Sequence, residues 1–253
     1  MSPCCSSVGK KTHMAAFEEI LAARAAEAGL TLTQAQIGQF TVYNDMLVDW
    51  NTRMNLTALT APEDVAVKHI IDSLTAYEPT LFGAAHTLID VGTGAGLPGI
   101  PLAVYAPHIR VTLMDALQKR VKFLTEVTAA MGVTNVRCIH ARAEAAARAK
   151  EHRAAYDIAV SRAVARMPVL LEYTLPFVRT GGTVLALKGR AYAEEAEEGK
   201  RAAQILGGGA IHARPVHLPG LDDVRAILSV TKERPTPKAY PRRAGQPEQK
   251  SLK

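Results

Sequence analysis

The sequence predicts an α/β fold: a mostly parallel, seven-stranded, Rossmann-like sheet with helices on both faces, preceded by a helical extension. Three observations carry this. From about residue 86, short apolar runs alternate with helical segments at the spacing of strand–helix–strand units. Before that point only helical periodicity is present. The first apolar run, "TLIDV", empties into the glycine cluster "GTGAG", the kind of strand-to-helix turn at which open parallel sheets bind ligands.

Taken in order, the leader "MSPCCSSVGKK" has no apolar core of a secretory signal, and Ser2 stands where myristoylation needs glycine. Residues 1–12 are expected to be a disordered leader and residues 13–80 the helical extension. "MAAFEEILAARAAEAG" has helical spacing and stops at Gly29, and Thr33 is the N-cap expected for "TQAQIGQFTVYNDMLVDWN". "MNLTALTA" is a loop. "PEDVAVKHIIDSLTAYE" opens with Pro62 in its first turn, beside acids that favour a helix start.

The α/β domain spans residues 81–232. "RVTLMD", "NVRCIH", "YDIAVSRAV" and "GGTVLALKG" follow "TLIDV" as strands, and "AIHARPVHL" with "RAILSVTKE" closes the sheet as an antiparallel pair. Helices are expected after the glycine cluster, over "LQKRVKFLTEVTAAMG", around Ala143 to Lys150, over "MPVLLEYTLPFV", and from about Ala191 to Leu206.

The 253 residues are 48% hydrophobic, enough for a sizeable core. No apolar run is long enough to cross a membrane, and Cys4, Cys5 and Cys138 form no CxxC or metal spacing. These features suit a cytoplasmic protein with no metal and no membrane partner. The net charge of +6 favours a polyanionic partner. The tail 233–253, rich in Lys, Arg and Pro, is expected to be solvated or to lie along a phosphate backbone as a basic arm.

The glycines fit two templates. Gly94-Ala-Gly96-Leu-Pro-Gly99 satisfies the dinucleotide GxGxxG, and Gly92-Thr-Gly94-Ala-Gly96 the GxGxG of S-adenosylmethionine enzymes. A pyrophosphate needs free N–H groups at the helix start, and Pro98 and Pro101 remove two of them. An adenosine without phosphate, such as S-adenosylmethionine, fits better than NAD. Asp115, ending the second strand about 20 residues on, is placed to hold ribose hydroxyls as well as to cap the next helix. Asp90 either accepts from the ligand's amino group or bonds loop N–H groups. Ala143-Glu144 sits where an adenine edge would lie, or is an ordinary helix start. At the fourth strand end, Arg162 and Arg166 suit phosphate or guanine recognition, or are surface charges. The fifth ends in Lys188-Gly189-Arg190, again basic.

From about residue 40 onward the blocks "NLTA", "KHIIDSL", "DVGTGAGLPGIPLA", "ARAE", "SRAVA", "LKGR" and "KAYPRRAGQP" occur in an order that resembles the bacterial small-subunit ribosomal RNA guanine-N7 methyltransferases, RsmG or GidB. The resemblance implies a class I S-adenosylmethionine-dependent methyltransferase fold, and S-adenosylhomocysteine as product. It implies Gly92 and Leu97 bracketing the loop under the methionine moiety, Ala143 and Glu144 at the adenine, and Arg162 near the methionine end and the target base. Asp115 is as that family has it. The implied target is a guanine of the 530 loop (position 527) of 16S ribosomal RNA, alone or in the small subunit; the protein itself is expected to be a monomer. Arg162 is then the residue to orient the guanine. Lys68 and His69 line the site from their helix, where Lys68 and Asp72 have the spacing of an ion pair. Lys68, His69, Arg166, Lys188, Arg190, Arg242 and Arg243 are the candidate RNA contacts. The competing readings are an NAD-dependent oxidoreductase, a non-catalytic RNA-binding relic, and a methyltransferase for another target.

Overall fold

A computed structural model of the chain describes residues 6–252. Helices α1 (Ser6–Glu27) and α2 (Gln34–Asn51) come first. Thr33 caps α2 reciprocally: its Oγ1 accepts from the Gln36 N–H, and Gln36 Oε1 accepts from the Thr33 N–H. Because α1 begins at Ser6, residues 6–12 are helical rather than a disordered leader. Phe17 and Leu21 are buried, and a helix anchored by packing extends one residue at a time at little cost. Cys4 and Cys5 lie outside the described residues.

The next helix is continuous but not uniform. α3 (Pro62–Asp64) passes into a π-helical segment, Val65–Ile71, which passes into α4 (Asp72–Leu74). A short helix that the sequence reading lacked, α5 (Pro79–Ala84), follows, its first N–H groups capped by the Glu78 carboxylate.

The sheet then forms in the expected alternation: β1 (Thr87–Val91), α6 (Gly99–Tyr105), β2 (Arg110–Asp115), α7 (Gln118–Ala130), β3 (Val136–His140), α8 (Ala143–Ala146), β4 (Tyr156–Arg162), α9 (Met167–Thr174), β5 (Val178–Lys188), α10 (Tyr192–Leu206), β6 (Gly208–Leu218) and β7 (Leu221–Lys232). The strand order is β3-β2-β1-β4-β5-β7-β6. Strands β1 to β5 pair in parallel, and β7 runs antiparallel to both of its neighbours. In this order the chain reverses direction across the sheet between β1 and β4, opening a crevice at their carboxyl ends. Antiparallel β7 brings its beginning to the same edge: Ala226 pairs with Lys188, the last residue of β5.

β1 is buried on both faces, as expected of a central parallel strand. Leu88 faces a core shared by α6, α7 and the N-terminal helices, with Phe17, Phe40, Ile70, Ile100 and Phe123. Ile89 faces a second core under α9 and α10, with Leu171, Phe177 and Leu206. The N-terminal helices therefore share a core with the sheet. Tyr43, wholly buried, donates its hydroxyl to the Ala95 carbonyl at 2.9 Å, tying α2 to the glycine loop.

The C-terminal segment corrects the expectation of a free basic arm. Arg153 donates to the carbonyls of Thr236, Pro237 and Tyr240, and Arg148 to those of Ala239 and Pro241. Arg242 grips the fully buried Glu172 with Nε and Nη2. A buried carboxylate needs a paired cation, so this arginine faces inward. The segment ends in the short helix α11 (Gln246–Gln249).

Candidate active site

The glycine loop is held by its own backbone. Gly92 and Thr93 donate to the Met114 carbonyl, and Gly94 donates to Asp115 Oδ2 at 2.9 Å. Gly96 and Leu97 donate to Thr93, Ile100 to Gly96, and Leu102 to Pro98. Gly99 N–H donates to Asp90 Oδ2 at 2.7 Å, and Thr93 Oγ1 donates to the same oxygen at 2.6 Å. With Pro98 and Pro101 lacking an N–H, only the Ala95 N–H between residues 92 and 102 has no internal acceptor. A pyrophosphate would find no array of free donors here, so this site does not fit NAD. Gly99 is required for close approach, since a Cβ there would stand 2.3 Å from Leu113 Cδ2 and 2.8 Å from Asp90 Oδ2.

Asp90 is the acid that shapes this loop from beneath. It is 0% exposed, and its Oδ1 has no partner. Burial pushes its carboxyl up to about 7, although Thr93 and Gly99 pull it down. Gly96 and Leu97 are buried with it, below the loop surface.

Above the loop lies a cavity of about 160 Å³, lined by Gly92, Asp115, Ala143, Glu144, Val164 and Gly245 among others. Asp115, at the carboxyl end of β2, accepts from Leu117 N–H through Oδ1 and from Gly94 N–H through Oδ2, with Arg120 at 3.4 Å. The expected helix cap is not made, because the N-cap of α7 is Leu117 and has no side-chain cap bond, but a carboxylate offers about four acceptor positions and Oδ1 uses one, which leaves acceptors for a ligand. Glu144 is buried beside it and accepts from the Gly245 N–H at 3.2 Å. A Cβ on Gly92 would stand 2.6 Å from Val164 Cγ2, so glycine alone lets the next loop close over this end. A neutral backbone floor and two lining carboxylates, Asp115 and Glu144, suit an adenosine that carries a cation and no phosphate.

Val164 also lines a second, larger cavity of about 540 Å³, with Lys68, His69, Asp72, Arg162, Lys188 and Arg225. Here Asp72, buried on α4, binds two arginines. Its Oδ2 is 2.7 Å from Arg162 Nη1, and its Oδ1 is 3.1 Å from Arg225 Nη1. Arg162 Nη1 also donates to the Lys68 carbonyl at 2.9 Å, leaving Nη2 and Nε without a bond among the described residues. The carbonyl of Lys68 belongs to the π-helical segment; such insertions recur at functional sites.

The expected Lys68–Asp72 pair is corrected by this arrangement. Lys68 pairs with Asp64 at 2.8 Å, because the two guanidiniums occupy the carboxylate of Asp72. His69 is buried, with Nε2 2.9 Å from Thr57 Oγ1 and Nδ1 unpartnered. Burial, and then Arg162, lower its pKa, so it is a neutral wall residue rather than a cation for phosphate.

Lys188 donates to Glu195 and to the Ala165 carbonyl, both at 2.6 Å. Arg166, on the rim, pairs with Glu194 and Glu198. Arg242 is consumed by Glu172, outside the site. Arg190 and Arg243 are exposed and carry no side-chain bond among the described residues. The sequence reading missed Arg225. It looked like the start of an apolar closing strand; its signal was that an antiparallel last strand begins where the parallel strands end.

Comparison with known proteins identifies the family. The family model described as "GidB: rRNA small subunit methyltransferase G" matches residues 36–219. A "Ribosomal RNA small subunit methyltransferase G" of Alkaliphilus metalliredigens is 44% identical over 227 residues, covering 90% of this chain and 95% of its own. One of that description from Bacillus cereus is 45% identical over 221 residues, covering 87% and 92%. Among solved structures, the S-adenosylmethionine-dependent methyltransferase SibL in its apo form shares the fold with a TM-score of 0.53 at 16% identity, over 90% of this chain and 77% of its own. A Corynebacterium glutamicum protein does so with a TM-score of 0.52 at 17% identity, over 87% and 98%. The chain belongs to the ribosomal RNA small subunit methyltransferase G family, and it is an S-adenosylmethionine-dependent methyltransferase.

Proposed function

We propose that the protein methylates 16S ribosomal RNA of the small subunit, and that the acceptor is N7 of a guanine in the 530 loop. The names of its relatives support the RNA. The observation that carries the acceptor is the larger cavity beside Val164, which is rich in guanidinium and holds no idle carboxylate. Asp72 and Glu195 are the acids that line it, and both are engaged by cations.

Bound S-adenosylmethionine supplies an electrophilic methyl group on a sulfonium. Guanine N7 presents an in-plane lone pair and carries no proton at neutral pH, so no side chain has to remove one. What remains for the protein is to hold the base in line, and alignment alone is worth about 7–11 kcal/mol in favourable cases. Arg162, with Nη1 fixed by Asp72 and the Lys68 carbonyl, has Nη2 and Nε left to donate to guanine O6. Arg190 and Arg243, exposed and unpaired, are the side chains for phosphates.

The test is transfer of labelled methyl from S-adenosylmethionine to small ribosomal subunits and to naked 16S RNA, followed by digestion to nucleosides. Label is expected in 7-methylguanosine. Label confined to any other nucleoside would overturn the acceptor.

A further inference from the structure

The segment expected to serve RNA also lines the cavity above the glycine loop. Gly245 and Glu248 line it together with Gly92, Asp115, Ala143 and Glu144. Gly245 N–H donates to Glu144 Oε1 at 3.2 Å, across 101 residues of sequence. Tyr173, also lining the cavity, donates its hydroxyl to Glu248 Oε1 at 3.2 Å. Gly245 has φ +82°, a conformation that glycine adopts without the strain of a side chain. Behind it the segment is fixed by the Arg242–Glu172 pair and the buried Pro247.

The two sides of the cavity differ in how firmly they are held. The inner side is strand ends and loop backbone, pinned by bonds of 2.8–3.1 Å at Asp115, Gly92 and Thr93. The outer side meets the cavity through the two 3.2 Å contacts just given, on a segment anchored behind them by Arg242 and Glu172. The cavity of about 160 Å³ is smaller than the about 300–1,000 Å³ typical of small-molecule sites.

We propose that residues 245–248 are part of the cofactor site: the Gly245 N–H sets the Glu144 carboxylate as an acceptor for the amino group of adenine, and Glu248 closes the outer side. The proposal rests on S-adenosylmethionine as methyl donor and not on the identity of the RNA target. The segment adds selectivity for a 6-aminopurine, because a carboxylate held as acceptor rejects a 6-keto purine that offers it a second acceptor.

Calorimetry with S-adenosylhomocysteine and S-inosylhomocysteine, in which the amino group is replaced by a keto oxygen, tests this without RNA or turnover. The full chain is compared with a chain ending at Ala244, which lacks the Gly245 N–H, and with Glu248→Ala, an exposed position, with the fold of each variant checked by a thermal melt. The shortened chain should bind S-adenosylhomocysteine at least fivefold more weakly, with its preference over the inosine analogue reduced at least threefold. Glu248→Ala should weaken S-adenosylhomocysteine two- to fivefold. Unchanged affinity in both variants would overturn the proposal, and so would equal weakening of the two ligands in the shortened chain. Unchanged cofactor affinity together with a shallower salt dependence of RNA binding would return the segment to the role of a basic arm.

Discussion

Asp72 joins Arg162 and Arg225 through its two carboxylate oxygens, at 2.7 and 3.1 Å, and so couples the end of β4 to the start of β7 across the larger cavity. Each arginine is far from it in sequence, by 90 and 153 residues. The pairings fix both guanidiniums in the larger cavity, which shares Val164 with the cavity above the glycine loop.

Loss of that carboxylate should therefore cost rate more than cofactor affinity. Asp72→Asn keeps the shape but leaves two cations without their partner, and a lost charge-assisted bond costs about 1.5–3 kcal/mol. We expect a fall in kcat of at least tenfold, with calorimetric affinity for S-adenosylhomocysteine within twofold of the parent. Arg162→Lys should fall similarly, because an ammonium cannot bond Asp72, the Lys68 carbonyl and a base edge at once. Neither variant should change the pH dependence of kcat. An acidic limb that disappears in one of them would show proton transfer where the geometry provides alignment.

Gly92→Ala should weaken the cofactor site. The φ of +73° disfavours any side chain, and the new Cβ would stand 2.6 Å from Val164 Cγ2. A stability loss of about 1–3 kcal/mol is expected from the backbone conformation, with S-adenosylhomocysteine affinity down about tenfold. Adding Val164→Ala should recover part of the affinity but not the stability, since it relieves the contact and leaves the φ. Equal recovery of both in a calorimetric and thermal-melt comparison would contradict this.

The buried Asp90 carries a pH dependence of stability with a definite sign. Its folded pKa, near 7, lies above its unfolded value near 3.8. Between those values the folded protein holds a proton that the unfolded chain has released. Its contribution is therefore full below about pH 4 and is lost as pH rises through 7. Arg162 opposes the shift and Asp115 adds to it. Asp90→Asn should flatten the decline in urea-unfolding free energy between pH 5 and 7, a difference of up to about 2–3 kcal/mol. Parallel curves for parent and variant would contradict it.

The two adjacent arginines of the C-terminal segment should behave differently. Arg242→Ala leaves the fully buried Glu172 unpaired, and breaking a buried pair from one side costs about 3–5 kcal/mol. It should lower the Tm sharply. Arg243→Ala, like Arg190→Ala, should leave the Tm unchanged and lower the salt slope of RNA binding by about one counterion. A reversed pattern in melts and salt titrations would contradict the assignment of inward and outward roles.

The strands were legible because central parallel strands are continuous apolar runs, and "TLIDV" and "RVTLMD" are buried throughout or nearly so. The glycine loop and Asp115 were legible because their spacing is local. The proline argument held for a broader reason than two missing donors: nearly every N–H of the loop is already bonded. What the sequence concealed is long-range. The basic tail looked solvated by composition, but Glu172, 70 residues back, decides where Arg242 goes. The Lys68–Asp72 spacing suggested a pair that two distant arginines displace. The helix around His69 looked regular, and no residue in it signals the π-helical segment Val65–Ile71, in which Val65, Ile70 and Ile71 are buried.

The most direct test of the central claim is the mapping of 7-methylguanosine in 16S ribosomal RNA from cells with and without this gene. The account predicts a single 7-methylguanosine in the 530 loop that disappears on deletion and returns with the intact gene but not with Arg162→Ala. Persistence of that mark in the deletion strain would contradict it.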